Sequence, residues 1–170
     1  RLDGALSCDG RSGGAESGGG SGGSLALKIG SFSGLGEVRS VGGDARGDEK
    51  TAYQSAGGGS GGRIALYAVN DVFDGYVRMH GGNGYDSTQQ QFSFGGSGTF
   101  FRQIARQQSV NSTYLSRSLV IGDLHFGNGY EKSAPTTLTR ETLIGISEAN
   151  PLDEFVVQSN SIVHLASDLY

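Results

Sequence analysis

Between its glycine-rich blocks the chain alternates apolar and polar residues with a period of two. Leu25, Leu27 and Ile29 are separated by Ala26 and Lys28, and Ile64, Leu66 and Ala68 recur 39 residues later around Ala65 and Tyr67. Three shorter stretches behave the same way. Leu6, Val38 and Val77 form one column, Cys8, Ser40 and Met79 the next, and the intervening Ser7, Arg39 and Arg78 are polar. Period-two alternation predicts strands with one buried face, so Leu6, Val38 and Val77, with Leu25 over Ile64 and Leu27 over Leu66, are the expected core ladder.

The glycine blocks repeat at the same offset. Gly18-Gly19-Gly20-Ser21-Gly22-Gly23 precedes the first long strand and Gly57-Gly58-Gly59-Ser60-Gly61-Gly62 the second. A recurring unit of two strands and a glycine-rich return predicts equivalent strands stacked in register about 4.8 Å apart, which reads as an all-β parallel solenoid, most simply a β-helix. Its turns are expected over residues 30–36 and 70–75. Its returns, 43–62 and 82–98, are long for unstructured loops, so their glycines are expected to pack closely or to take positive φ.

Past Phe100 the pattern weakens. Arg102 stands where an inward leucine is expected, so either the register shifts at Phe101 or Arg102 ends the core. The division is therefore 1–102, glycine-rich repeats, and 103–170, a glycine-poor continuation of the same solenoid. Short β-rich runs at 119–126, 142–146, 155–157 and 161–165 supply its further coils. A helix over 140–148 is disfavoured by Thr142, Ile144 and Ile146.

Composition narrows the function. Of 31 glycines, 27 precede Gln103, without the three-residue repeat of collagen. The net charge of −4 and the scattered basic residues argue against nucleic acid as a partner. No apolar run approaches the roughly 20 residues of a membrane span. The chain opens on Arg1 with neither Met nor signal peptide, which suggests an excised piece of a larger protein. The single cysteine, Cys8, lies in an inward column and reads as a small buried hydrophobe, with a bond to another segment as the alternative.

Chemistry-bearing motifs are sparse. Both glycine blocks match G-x-G-x-x-G, at Gly18, Gly20, Gly23 and at Gly57, Gly59, Gly62, but a β-rich run follows each where a dinucleotide site needs a helix. Gly81-Gly82-Asn83-Gly84-Tyr85-Asp86 begins a calcium β-roll repeat without an adjoining copy; no cofactor is expected, and calcium near Asp44, Asp48 and Glu49 or at Asp86 is weighed against a solvated loop. Arg46-Gly47-Asp48 spells a receptor-read tripeptide too short to specify a function. Asn111-Ser112-Thr113 makes Asn111 the candidate N-glycosylation site. His80, His125 and His164 lie on separate segments, and no metal-ligand or nucleophile spacing accompanies them. The outward Arg39 and Arg78 are the nearest approach to a catalytic column, and Ser7 breaks it. No catalytic residue is assigned, and an enzyme is not expected.

The series from Gly57 through Arg63-Ile64-Ala65-Leu66-Tyr67, Phe73-Asp74-Gly75-Tyr76-Val77-Arg78-Met79-His80-Gly81-Gly82 and Gly95-Gly96-Ser97-Gly98-Thr99-Phe100-Phe101 resembles the glycine-rich repeat of very large extracellular proteins. Such repeats occur in bacterial surface adhesins, in glycine-rich plant and protist surface proteins and in mastigoneme-like proteins of algal flagellar hairs. The resemblance covers roughly residues 1–130. It implies a right-handed parallel β-helix and a structural role in a shaft, filament or surface appendage outside the cell. The partners it implies are copies of the chain or adjacent domains, and glycans. A carbohydrate-active β-helix enzyme and a carbohydrate-binding adhesin domain are the competing classes.

Overall fold

The computed structural model describes residues 1–14, 17–45, 56–86, 91–109, 112–122, 124–125, 140–145, 154–157 and 161–166. All regular structure in them is strand. In order these are β1 (Ala5–Ser7), β2 (Ser24–Gly34), β3 (Glu37–Arg39), β4 (Arg63–Phe73), β5 (Tyr76–Arg78), β6 (Asn83–Asp86) and β7 (Gln91–Phe94). There follow β8 (Thr99–Ser109), β9 (Ser112–Ile121), β10 (Leu124–His125), β11 (Arg140–Gly145), β12 (Glu154–Val157) and β13 (Ser161–Ala166).

Four sheets result, with orders β1-β3-β5-β10, β12-β9-β8-β4-β2, β6-β7 and β11-β13. Strands β1, β3 and β5 pair in parallel, as do β2, β4 and β8. Leu6 is the register partner of Val38 and Val38 of Val77; Leu25 pairs with Ile64 and Leu27 with Leu66. Val38, Ile64, Leu66 and Val77 are buried, with Met79, Phe100, Ile104 and Val120 in the same cluster, while Leu25, Leu27 and Ile29 pack against it half-buried. Burying a side chain of this size contributes about 1.5–3 kcal/mol, so these columns dominate the stability of the paired sheets.

The β-helix expectation is overturned. Separate parallel and mixed sheets stand in its place, and no closed sheet or solenoid is found among the described residues. Strand β9 returns antiparallel to β8, and β10 lies antiparallel on β5, so the parallel stacking of β1, β3 and β5 and of β2, β4 and β8 is not continued by the strands that follow; beyond them β12 pairs in parallel with β9, and β11 with β13 in a sheet of their own. The cause is chain length: two residues separate β8 from β9, whereas a parallel crossover needs a dozen or more. Residue 102 itself lies inside β8.

The expected turns also differ. Strands β2 and β4 run on to Gly34 and Phe73 and stay in register through Ser31 and Asn70. Consecutive exposed residues at 30–31 and 69–70 switch the inward face from Ile29 and Ala68 to Phe32 and Phe73. Those two rings stack with centroids 4.3 Å apart, which closes the far end of the core. Arg102 keeps its register opposite Leu66, so the ladder does not slip.

Candidate functional site

The glycine-rich segments, expected to be long returns, are an ordered backbone lattice. Three outgoing segments follow β1, β3 and β5 (residues 8–14, 40–45 and 79–83), and three returning ones precede β2, β4 and β8 (17–23, 57–62 and 95–98). Outgoing segments bond to one another, Gly10 N donating to Val41 O at 2.7 Å and Gly42 N to His80 O at 2.9 Å. Returning segments do the same, through Gly22 N to Ser60 O and Gly61 N to Gly96 O, both 2.8 Å. A zigzag of bonds stitches the two layers together: Gly20 N to Arg11 O, Gly43 N to Gly20 O, Gly59 N to Gly43 O, Gly82 N to Gly59 O and Gly95 N to Gly82 O, all 2.7–2.9 Å.

These contacts recur every third residue. Gly59 and Gly62 face the first returning segment, Gly58 and Gly61 face the third outgoing one, and Gly57 and Ser60 face away. A period of three is that of extended polyproline II backbone, which has no internal hydrogen bonds and so offers every amide to a neighbour. A methyl group at Gly59 would overlap the carbonyl of Gly20, and one at Gly61 the carbonyl of Met79, whereas Gly57 faces open space. Close approach, then, is what glycine supplies here. Positive φ is confined among the described glycines to Gly34 and Gly122.

The block is three layers thick and is terminated on both faces. Arg11, Gly43 and Gly82 are equivalent, each accepting the bond from the returning segment of its own layer. A Cβ at Gly43 would overlap the Arg11 carbonyl beneath it, and one at Gly82 the Gly43 carbonyl. Arg11 has a side chain at that place, which excludes a further glycine layer below. On the opposite face Phe94 and Ser97 follow Gly58 and Gly61 in their columns, with the same effect.

On the outward face of the first sheet lies a ladder of charge. Arg39 and Arg78 are register partners, a like-charge contact relieved by Asp9 and Glu37: Arg39 Nη2 lies 3.0 Å from Asp9 Oδ2 and Arg78 Nε 2.8 Å from Glu37 Oε1. Arg78 also covers the Tyr76 ring at 5.4 Å. Such half-exposed pairs contribute about 0–1 kcal/mol each. Asp3, held by Arg1 Nε at 2.6 Å and by the amide of Leu35, has its pKa lowered, chiefly through the Arg1 hydrogen bond.

The remaining sequence candidates are dispersed. The two G-x-G-x-x-G matches are built into the block, and β2 and β4 follow them. One carboxylate oxygen of Asp44 accepts the amide of Asn83 at 2.7 Å, and Asp86 ends β6. Asp48, Glu49, Arg46 and Gly47 lie outside the described residues, as does Asn111. Cys8 is a half-buried free thiol, its Sγ 3.4 Å from the Arg39 carbonyl. His80 Nδ1 lies 3.0 Å from the Gly81 carbonyl, while His125 is in β10 and His164 in β13. Among the described residues no three His, Cys, Asp or Glu side chains are grouped to hold a metal ion. No helix among them is long and apolar enough to cross a membrane.

Close packing of the return glycines was one of the two expectations and is what the structure shows; what sequence reading missed is the bonded lattice they form and the Asp71 partner of Arg102. The signal for the lattice was present: serine falls three places after the first glycine of each block, on the one face that can hold a side chain. No protein-family model, curated protein or solved structure matches the chain.

Proposed function

We propose that the chain is a structural module of an extracellular filament, shaft or surface appendage, joined to copies of itself or to adjacent domains, and that it belongs with the glycine-rich repeats of adhesin-like and mastigoneme-like surface proteins. The observation that carries the reading is the three-layer glycine block. Backbone amides bonded in two directions, beside in-register apolar ladders, spread load over many short hydrogen bonds. Nothing in such an element depends on a reactive side chain.

A carbohydrate-binding adhesin surface is the second reading. It is favoured by the outer face of the second sheet, where the exposed Tyr67 stands against Phe101 with ring centroids 5.8 Å apart, beside exposed Val69 and Val72. Aromatic rings with a polar edge suit the apolar faces of sugars.

The test is electron microscopy of native surface material labelled with an antibody to this chain. Label recurring along an extracellular filament or sheath is expected. Label confined to the cell interior would overturn the proposal.

A further inference from the structure

The outer edge of β2 is the feature that the fold leaves unexplained. Among the described residues no strand pairs with it, and Leu25, Leu27 and Ile29 are half-buried while their partners Ile64, Leu66 and Ala68 are buried. Edges of this kind pair readily with another strand unless charge, proline or a bulge protects them. Here the only charged residue on the strand is Lys28.

Among the described residues the glycine block and the two larger sheets offer few other routes of self-association, the free edge of β1 being three residues long and those of β11 and β13 six. Arg11 on one face and Phe94 and Ser97 on the other exclude a fourth glycine layer. The far edges of β5 and β8 are covered by β10 and β9. At the opposite edge of the second sheet, β12 offers four residues.

We propose that β2 pairs with β2 of a second copy, antiparallel about a two-fold axis through Leu27. The proposal deepens the reading of the chain as a self-joining module by naming the joint. Its register follows from three observations. Leu2 N donates to Ser33 O, which occupies the end of β2 and leaves a free stretch whose middle is Leu27. Arg63 N donates to Gly23 O, so by alternation the odd residues of β2 direct their amides and carbonyls to β4, and Ser24, Ala26, Lys28 and Gly30 direct theirs to the open edge. Antiparallel pairing about Leu27 then bonds Ala26 to Lys28 and Ser24 to Gly30 of the partner copy.

The same register opposes Leu27 to its own copy and Leu25 to Ile29, extending the apolar face across the joint. Moving the axis one residue to Lys28 would oppose two like charges, and moving it to Ala26 would strand Ile29. An isologous pair of this kind closes on itself.

The experiment uses the 170-residue chain in sedimentation equilibrium over a range of concentrations, with two variants. The wild type is expected to approach twice 17.6 kDa. Ala26→Pro removes an outward amide without touching the ladder to β4, a change that edge strands tolerate; it should weaken the dimer about tenfold or more while leaving the far-ultraviolet circular dichroism unchanged. In a Cys8→Ser background, Leu27→Cys should oxidise to a covalent dimer and Leu25→Cys should not, because directly opposed residues of a non-hydrogen-bonded pair stand about 4.5 Å apart and the latter faces Ile29. A monomer at every concentration, a dimer indifferent to Ala26→Pro, or equal cross-linking at both positions overturns the two-fold joint. So do species that grow beyond the dimer, since an isologous β2 pair closes on itself. A monomeric chain that nevertheless labels filaments in native material overturns the joint alone and leaves the structural reading standing.

Discussion

Arg102 Nε donates to Asp71 Oδ2 at 2.6 Å from a position in the inward column that Leu66 occupies one strand earlier. The Asp71 side chain is 1% exposed and its other oxygen accepts the amide of Phe73, so the carboxylate is buried and answered on both sides. Replacing Arg102 alone by leucine leaves that carboxylate uncompensated and should cost about 3–5 kcal/mol. The double variant Asp71→Leu, Arg102→Leu should lie closer to wild type than Arg102→Leu does. Urea midpoints of the four proteins check the cycle, and additive losses would contradict it.

Glycine substitutions should separate by layer face. Gly59→Ala drives a methyl group into the Gly20 carbonyl, a rigid backbone atom, and is expected to cost about 3 kcal/mol or more. Gly57→Ala meets nothing and should stay within about 0.5 kcal/mol of wild type. Thermal unfolding of the two variants is the measurement; equal losses would contradict the assigned faces.

Ser40 joins the block to the first sheet. Its buried hydroxyl donates to Gly23 O at 2.6 Å, and the same carbonyl also accepts Arg63 N. Ser40→Ala therefore leaves the acceptor satisfied and should cost only about 1 kcal/mol. A loss as large as that of Gly59→Ala would contradict this.

How far the sequence discloses this architecture depends on the period of each part. The columns of Leu6, Val38 and Val77 and of Leu25, Leu27, Ile64 and Leu66 were legible because alternation at a fixed offset constrains register directly. The lattice was legible only as an expectation of close packing; its bonding was not, since glycine leaves no side chain to mark which face of each segment meets which neighbour. Arg102 looked like a defect because its partner Asp71 falls in a stretch read as a turn. Solenoid closure failed at β8 and β9, where the shortness of the connection, rather than any apolar pattern, dictates reversal.

Asp3 should give a small dependence on pH. Its folded pKa lies below the ordinary carboxylate value, so its contribution is present above the unfolded pKa and is lost as pH falls through the folded one. Asp3→Asn should lower the urea midpoint slightly near neutrality and leave it unchanged in strong acid. A larger difference in acid than at neutrality would contradict the sign.

The central claim is that the glycine segments are bonded structure and not loops, and amide hydrogen exchange at single-residue resolution tests it most directly. The amides of Gly43, Gly59 and Gly82, each bonded to a carbonyl of the facing layer, should exchange as slowly as those of Ile64 and Leu66 in β4. Exchange at the rate of an unstructured chain at all three glycines, beside protected Ile64 and Leu66, would contradict it.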